Sequence, residues 1–164
     1  RYGDTLLLLC EAQTALEDYA AAEASCLKAI DTFEAEHGEY RRQAPLDAYD
    51  GLFAVYEKAG IRQDRIGAEL AVRERYLKRL PVQAILIAPR IDTLTRIGDL
   101  HRSTGDWPEA EAAYREAIDF TAQLPRHHYS DADTKPCRHL SRLYRERGDA
   151  VAAGKALQLC PGKQ

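Results

Sequence analysis

Three glycines mark out a repeat along this chain. Gly60, Gly105 and Gly148 each close a helix-patterned stretch with a ring side chain four residues earlier (Tyr56, His101, Tyr144). They stand 45 and 43 residues apart, and Glu17, 43 residues before Gly60, heads a fourth copy, "ALEDYAAAEASCLKAI" over 15–30. A nearly constant period over four copies confines the chain to a repeat architecture. Each unit is then too small to bury its own apolar face and must stack on its neighbours.

Every copy reads as two helices. In the third, the first helix is expected from about Pro89 to Thr104, because proline suits an opening turn whose amides need no partner. Leu94, Ile97, Gly98 and His101 then share one face, and Gly105 ends the helix as a C-cap glycine. Asp106 is expected to cap the second helix with Glu109 completing a capping box, and Trp107, Ala110, Tyr114 and Ala117 form its inward face. In the second copy Pro45 opens a helix bearing Tyr49, Leu52, Phe53 and Tyr56. The extra residues Ile61 to Gln63 precede an expected cap at Asp64, with Ala68 and Val72 facing inward. Thr134 and Pro136 open the fourth copy, with Cys137, Leu140, Ser141 and Tyr144 inward, Gly148 as stop and Asp149 as cap. In the first, Leu6, Leu9, Cys10 and Gln13 face Tyr19, Ala22, Cys26 and Ala29.

Composition narrows the function. The 164 residues hold 23 basic and 26 acidic side chains, a net charge of −3, so no global field calls for DNA or an anionic membrane. "TLLLLC" (5–10) is too short for a membrane span or a secretory core and reads as a buried helix turn. Cys10, Cys26, Cys137 and Cys160 show no metal-type spacing and fall on apolar faces, where reduced thiols act as small hydrophobes. A cytoplasmic setting is expected on that ground. With no methionine and Arg1 leading directly into a Leu-rich helix, the chain is expected to be a fragment of a longer protein.

The pattern Ile97-Gly98, Gly105, Trp107, Ala110, Tyr114 and Ala117 resembles the tetratricopeptide-repeat family. Leu140, Tyr144, Gly148 and Ala153 extend the resemblance to the last copy, and Tyr19, Ala22 and Ala29 to the first. The usual period is about 34 residues, so these long copies are similar to the kinesin-light-chain-like variety. Phe53, Arg75 and Glu17 depart from the pattern, at two small-residue positions and one turn glycine. The resemblance implies an all-α, right-handed α-solenoid of four antiparallel helical hairpins. It would form one array over 1–164, with repeats at about 3–40, 45–80, 89–124 and 132–160.

The resemblance also implies that the first helix of each hairpin lines a concave groove. At ~100° per residue, Asp92, Thr95, Arg96, Asp99, Arg102 and Ser103 share a polar arc apart from Leu94, Gly98 and His101. Matching positions are Lys135, Arg138, His139, Arg142, Arg145 and Glu146 in the fourth copy and Asp47, Asp50, Ala54, Glu57 and Lys58 in the second. Asp4, Glu11 and Thr14 complete the set in the first. The expected groove residues are Asp50, Glu57, Arg96, Asp99, Arg102, Arg138, His139, Arg142 and Arg145. This surface is acidic over the first two repeats and basic over the last two. The reading is a scaffold for a protein or peptide, with an acidic segment or terminal carboxylate held by the arginine forks. Asp92–Arg96 and Arg142–Glu146, at i,i+4 spacing, could instead simply pair with each other.

Sharper chemistry finds little support. His127, His128, Cys137 and His139 are zinc-type donors, but the adjacent histidines diverge and the run reads as a connector. No nucleophile–base arrangement or phosphate loop is legible, the paired carboxylates sit on exposed faces, and neither a cofactor nor catalysis is expected. Tyr2, Tyr40 and Tyr129, unclaimed by packing, leave RNA stacking as a minor alternative. A regulatory or sensory arm of a multidomain protease, kinase or NTPase is the main one. "PVQAILIAP" (81–89) reads either as packing between the second and third hairpins or as an exposed hydrophobic contact for a partner.

Overall fold

A computed structural model describes residues 2–35, 43–80, 87–124 and 134–160. Among the described residues every regular element is helical: α1 (Tyr2–Ala15), α2 (Tyr19–Ala35), α3 (Gln43–Ala59), α4 (Ile66–Arg79), α5 (Ile87–Thr104), α6 (Trp107–Thr121), α7 (Lys135–Glu146) and α8 (Ala150–Gln158). The chain separates into two compact units, 1–69 and 70–164.

The turn residues behave as the period requires. Gly60, Gly105 and Gly148 have φ of +72°, +80° and +79°, and Glu17 takes +62° at the equivalent place. Asp18, Asp106 and Asp149, each one residue beyond, donate a backbone N–H to the carbonyls of Gln13, His101 and Tyr144 at 2.9–3.0 Å. That bond closes the helix end in a Schellman-type turn. Capping is less uniform. Asp149 accepts from the Ala152 amide at 2.8 Å and Asp18 from the Ala21 amide at 3.2 Å. The Asp106 side chain makes no capping bond and lies 3.4 Å from His101 Nδ1 instead. The expected capping box at Asp106–Glu109 is therefore not formed. Asp64 pairs with Arg62 at 3.3 Å, and α4 begins two residues later at Ile66.

Small residues let the paired helices approach. Ala22, Ala29, Ala110 and Ala117 are fully buried, and Gly98 lies under the buried Tyr114 ring. Counted from the turn residue, Gly98 and Tyr114 are seven before and nine after Gly105; Cys10 and Cys26 hold the same places about Glu17. These two cysteines are joined by a disulfide with Cα atoms 5.4 Å apart. Cys137 and Cys160 form a second one, Cα–Cα 5.5 Å, at the places taken by Leu94 and Ala117 in the third hairpin. The expectation of four reduced thiols is thus corrected. The cysteines are buried as expected, but in pairs whose Cα separation suits a disulfide, so that the two sulfurs meet at bonding distance. Disulfides persist in oxidising surroundings, so the cytoplasmic expectation loses the observation it rested on.

Other inward faces need correcting. Leu9 is 45% exposed. Ala68 is exposed, while α4 buries Ile66, Glu69, Val72, Arg73 and Tyr76. Residues 81–86 of the apolar linker lie outside the described residues, and Ile87–Pro89 form the start of α5. No helix among the described residues is long and apolar enough to cross a membrane.

Candidate functional site

Within the 70–164 unit, α5 and α7 lie against each other and bring four of the expected groove residues into one polar network. Asp99 is its centre. Tyr114 Oη donates to Asp99 Oδ1 at 2.7 Å, and His139 Nδ1 lies 2.8 Å from the same oxygen. A carboxylate oxygen only accepts, so the imidazole proton is assigned to Nδ1. Arg102 Nε stands 3.9 Å from Asp99, and its Nη1 donates to both oxygens of Glu146 at 2.9 and 3.2 Å. Arg142 Nε donates to Glu146 as well, at 3.2 Å.

Electrostatics follow from this order. Burial alone would raise the Asp99 carboxyl, but the His139 contact, the Tyr114 hydroxyl and the Arg102 charge hold it below the ordinary value of 3.8. Tyr114 is pushed upward by burial and by the Asp99 charge. Burial works against the Arg102 charge, but Glu146 and Tyr114 together outweigh it and raise the guanidinium.

The remaining residues fall around this hub. Arg138 is exposed and Arg142 keeps 66% of its side chain in solvent despite the Glu146 bond. Arg145 donates to Ser141 Oγ at 3.2 Å. At ~100° per residue, Lys135, Arg138, Arg142 and Arg145 lie within about 80° on one face of α7. Arg96 is half-buried on α5. Thr95, placed on the polar arc, is buried and donates to the Ile91 carbonyl at 2.7 Å, as Thr14 does to Cys10. Asp50 and Glu57 are exposed on α3, in the other unit. Loss of water around the Asp50 carboxyl and the nearby Asp47 charge raise it.

Sequence reasoning missed a second set of polar residues. In the 1–69 unit Tyr56 Oη donates to the buried Glu23 at 2.9 Å, and Arg65 also bonds Glu23. A cavity of about 210 Å³ opens beside them, lined by Tyr19, Glu23, Tyr56, Arg62, Asp64 and Glu69. Burial and the Glu23 charge raise the Tyr56 hydroxyl. The pair recurs in the other unit, where Tyr144 Oη donates to Glu111 at 2.6 Å and Arg147 and Arg115 flank the carboxylate. Both tyrosines stand four residues before a turn glycine. Both glutamates stand six after the previous turn residue. That shared register is the signal that could have found the pair.

Of the zinc-type donors, His127 and His128 lie outside the described residues, Cys137 is spent in a disulfide, and His139 bonds Asp99. Of the unclaimed tyrosines, Tyr40 and Tyr129 also lie outside them; Tyr2 is 56% exposed with Lys28 over its ring.

A family model described as "Tetratricopeptide repeat" matches residues 90–124, which span α5 and α6. That stretch carries a tetratricopeptide repeat. Its fold is similar to the crystal structure of nearly identical TPR-like repeats from a Podosopora anserina protein assigned as a kinesin light chain. The TM-score is 0.62 at 14% identity, and the match covers 94% of this chain and 71% of that one. No curated protein matches the sequence significantly. The match to residues 90–124 falls on the copy where Gly98, Gly105, Trp107, Ala110, Tyr114 and Ala117 all keep the tetratricopeptide pattern.

Proposed function

We propose that this tetratricopeptide array is a non-catalytic protein-interaction scaffold that binds an acidic peptide segment or terminal carboxylate on the α5–α7 surface. The observation that carries the reading is the basic face of α7. Lys135, Arg138 and Arg142 are exposed there, beside an Asp99–Arg102–Glu146 network that fixes the underlying side chains. Such a base is pre-organised, so a carboxylate meeting Arg138 and Arg142 need not order the helices beneath them. Arg102 supports this surface from below, since only 19% of its side chain reaches solvent and its fork already holds Glu146. The ligand contacts therefore fall to Arg138 and Arg142, with Arg145 and Arg96 at the flanks.

Fluorescence anisotropy with a labelled Glu-rich peptide bearing a free C-terminus tests the reading. Binding is expected to weaken when ionic strength is tripled and to fall at least about tenfold in Arg138→Glu/Arg142→Glu, because exposed charge attraction is screened and reversible. Equal affinity of the charge-reversed protein, or a preference for a Lys-rich peptide, would rule the basic surface out.

A further inference from the structure

The two disulfides occupy different mechanical settings. Cys10–Cys26 joins positions inside two long helices of 14 and 17 residues, and both cysteines are within 1% of complete burial. Cys160 instead follows the nine-residue α8, next to Leu159, which is 49% exposed, and is itself 7% exposed. Its partner Cys137 sits in the first turn of α7, directly before Arg138 and two residues before His139. We propose that the Cys137–Cys160 disulfide is a redox-sensitive clip on the first turn of α7, and thereby on its basic face, whereas Cys10–Cys26 is a structural bond.

The argument is one of access. Thiol–disulfide exchange needs a thiolate in line with one sulfur of the bond. A short helix frays at its end, so the α8 terminus opens toward solvent more readily than the middle of α1 or α2. A dithiol reductant attacks the Cys160 sulfur, Cys137 leaves as thiolate, and the second reductant thiol displaces Cys160. Two electrons and two protons pass to the protein, and the reductant departs as its cyclic disulfide. The residues then released are those that aim Arg138 and hold His139 on Asp99. The link to ligand binding rests on the peptide-binding reading above; the clip itself does not.

The test is graded reduction of the oxidised full chain with dithiothreitol, quenched with N-ethylmaleimide and read by mass spectrometry alongside amide hydrogen exchange. Cys137 and Cys160 are expected to be labelled at reductant concentrations at least about tenfold lower than Cys10 and Cys26. Exchange at 137–140 and 156–160 is expected to rise at least about tenfold, while 10–15 and 19–30 keep their protection. Cys137→Ser/Cys160→Ser should show the reduced pattern without reductant. Opening of Cys10–Cys26 first or in the same step, or unchanged exchange in α7 after reduction, would overturn the proposal. With the Glu-rich peptide, affinity should fall with the labelling of Cys137. An oxidised chain that does not bind that peptide refutes the ligand reading alone, because labelling order and exchange decide the clip either way.

Discussion

Replacing Gly98 by alanine tests the close helix approach on which the third hairpin depends. A Cβ added there would stand 2.4, 2.6 and 2.8 Å from three carbons of the Tyr114 ring. Carbon contacts settle near 3.5–4.0 Å, so the ring must retreat by roughly 1 Å. It has little room, being fully buried, hydrogen-bonded to Asp99 at 2.7 Å and packed edge-on to His139 at 5.8 Å between centroids. Overpacking typically costs about 1–3 kcal/mol and loss of a hydrogen bond to a charged group about 1.5–3. Removing a glycine from a helix interior returns about 1 kcal/mol. The net expectation is destabilisation by about 1.5–5 kcal/mol. Gly154, in α8, is the control, since a Cβ there meets nothing within 4 Å. Gly154→Ala should therefore stabilise by about 0.5–1 kcal/mol through propensity alone. Urea unfolding followed by the fluorescence of Trp107, the single tryptophan, reads Gly98→Ala from within its own hairpin and Gly154→Ala through the core cluster that Trp107 shares with α7 and α8. A Gly98→Ala midpoint at or above the parent's would show that Tyr114 does not seal that contact.

Further expectations concern the turn, the inner face, acid and the paired tyrosines. Glu17→Gly should stabilise the protein by up to about 1 kcal/mol, because a non-glycine residue at positive φ costs about 1–2 kcal/mol and glycine's added unfolded-state freedom offsets part of it; a lower melting temperature would contradict this. Ala110→Leu adds bulk to a fully buried site and should cost about 1–3 kcal/mol, so melting indistinguishable from the parent would disprove the packing there. The Asp99 carboxyl sits below its ordinary 3.8, so its contribution is complete above that pH and is lost as pH falls through the lower folded value. Stability measured by urea between pH 5 and 2.5 should fall less steeply in Asp99→Asn, and parallel acid limbs would refute the assignment. Tyr144→Phe and Glu111→Ala should couple by about 0.5–3 kcal/mol in a double-mutant cycle, whereas additive effects would mean the hydroxyl–carboxylate bond contributes nothing.

The legible part of this fold was the period, because backbone conformation leaves a residue-level trace. Glycine at positive φ is such a trace, and it exposed even Glu17, which takes the same conformation without being glycine. Residue type misled where local bonding overrode it. Thr14 and Thr95 look like surface residues, yet their hydroxyls bond carbonyls four residues back and so can be buried. Glu69 and Arg73 are buried in α4, where charge suggests an outward face and Ala68 an inward one. Helix starts were misplaced at Pro45 and Pro89, because the whole first turn lacks internal amide bonds and accepts proline beyond its first position. For the site, the sequence supplied the arginines but not their allegiance. Glu146 serves Arg142 at i,i+4 and Arg102 from α5 at once, and no one-helix pattern reports that second bond.

Residue-resolved NMR titration of the oxidised chain with a Glu-rich peptide, read from amide and arginine side-chain shifts, tests the central claim most directly. The account predicts perturbations centred on Arg138 and Arg142, fading through Arg145 and Arg96, with the Asp99–Tyr114 contact beneath undisturbed. Perturbations confined to the cavity beside Glu23 and Tyr56, or absent altogether, would contradict it.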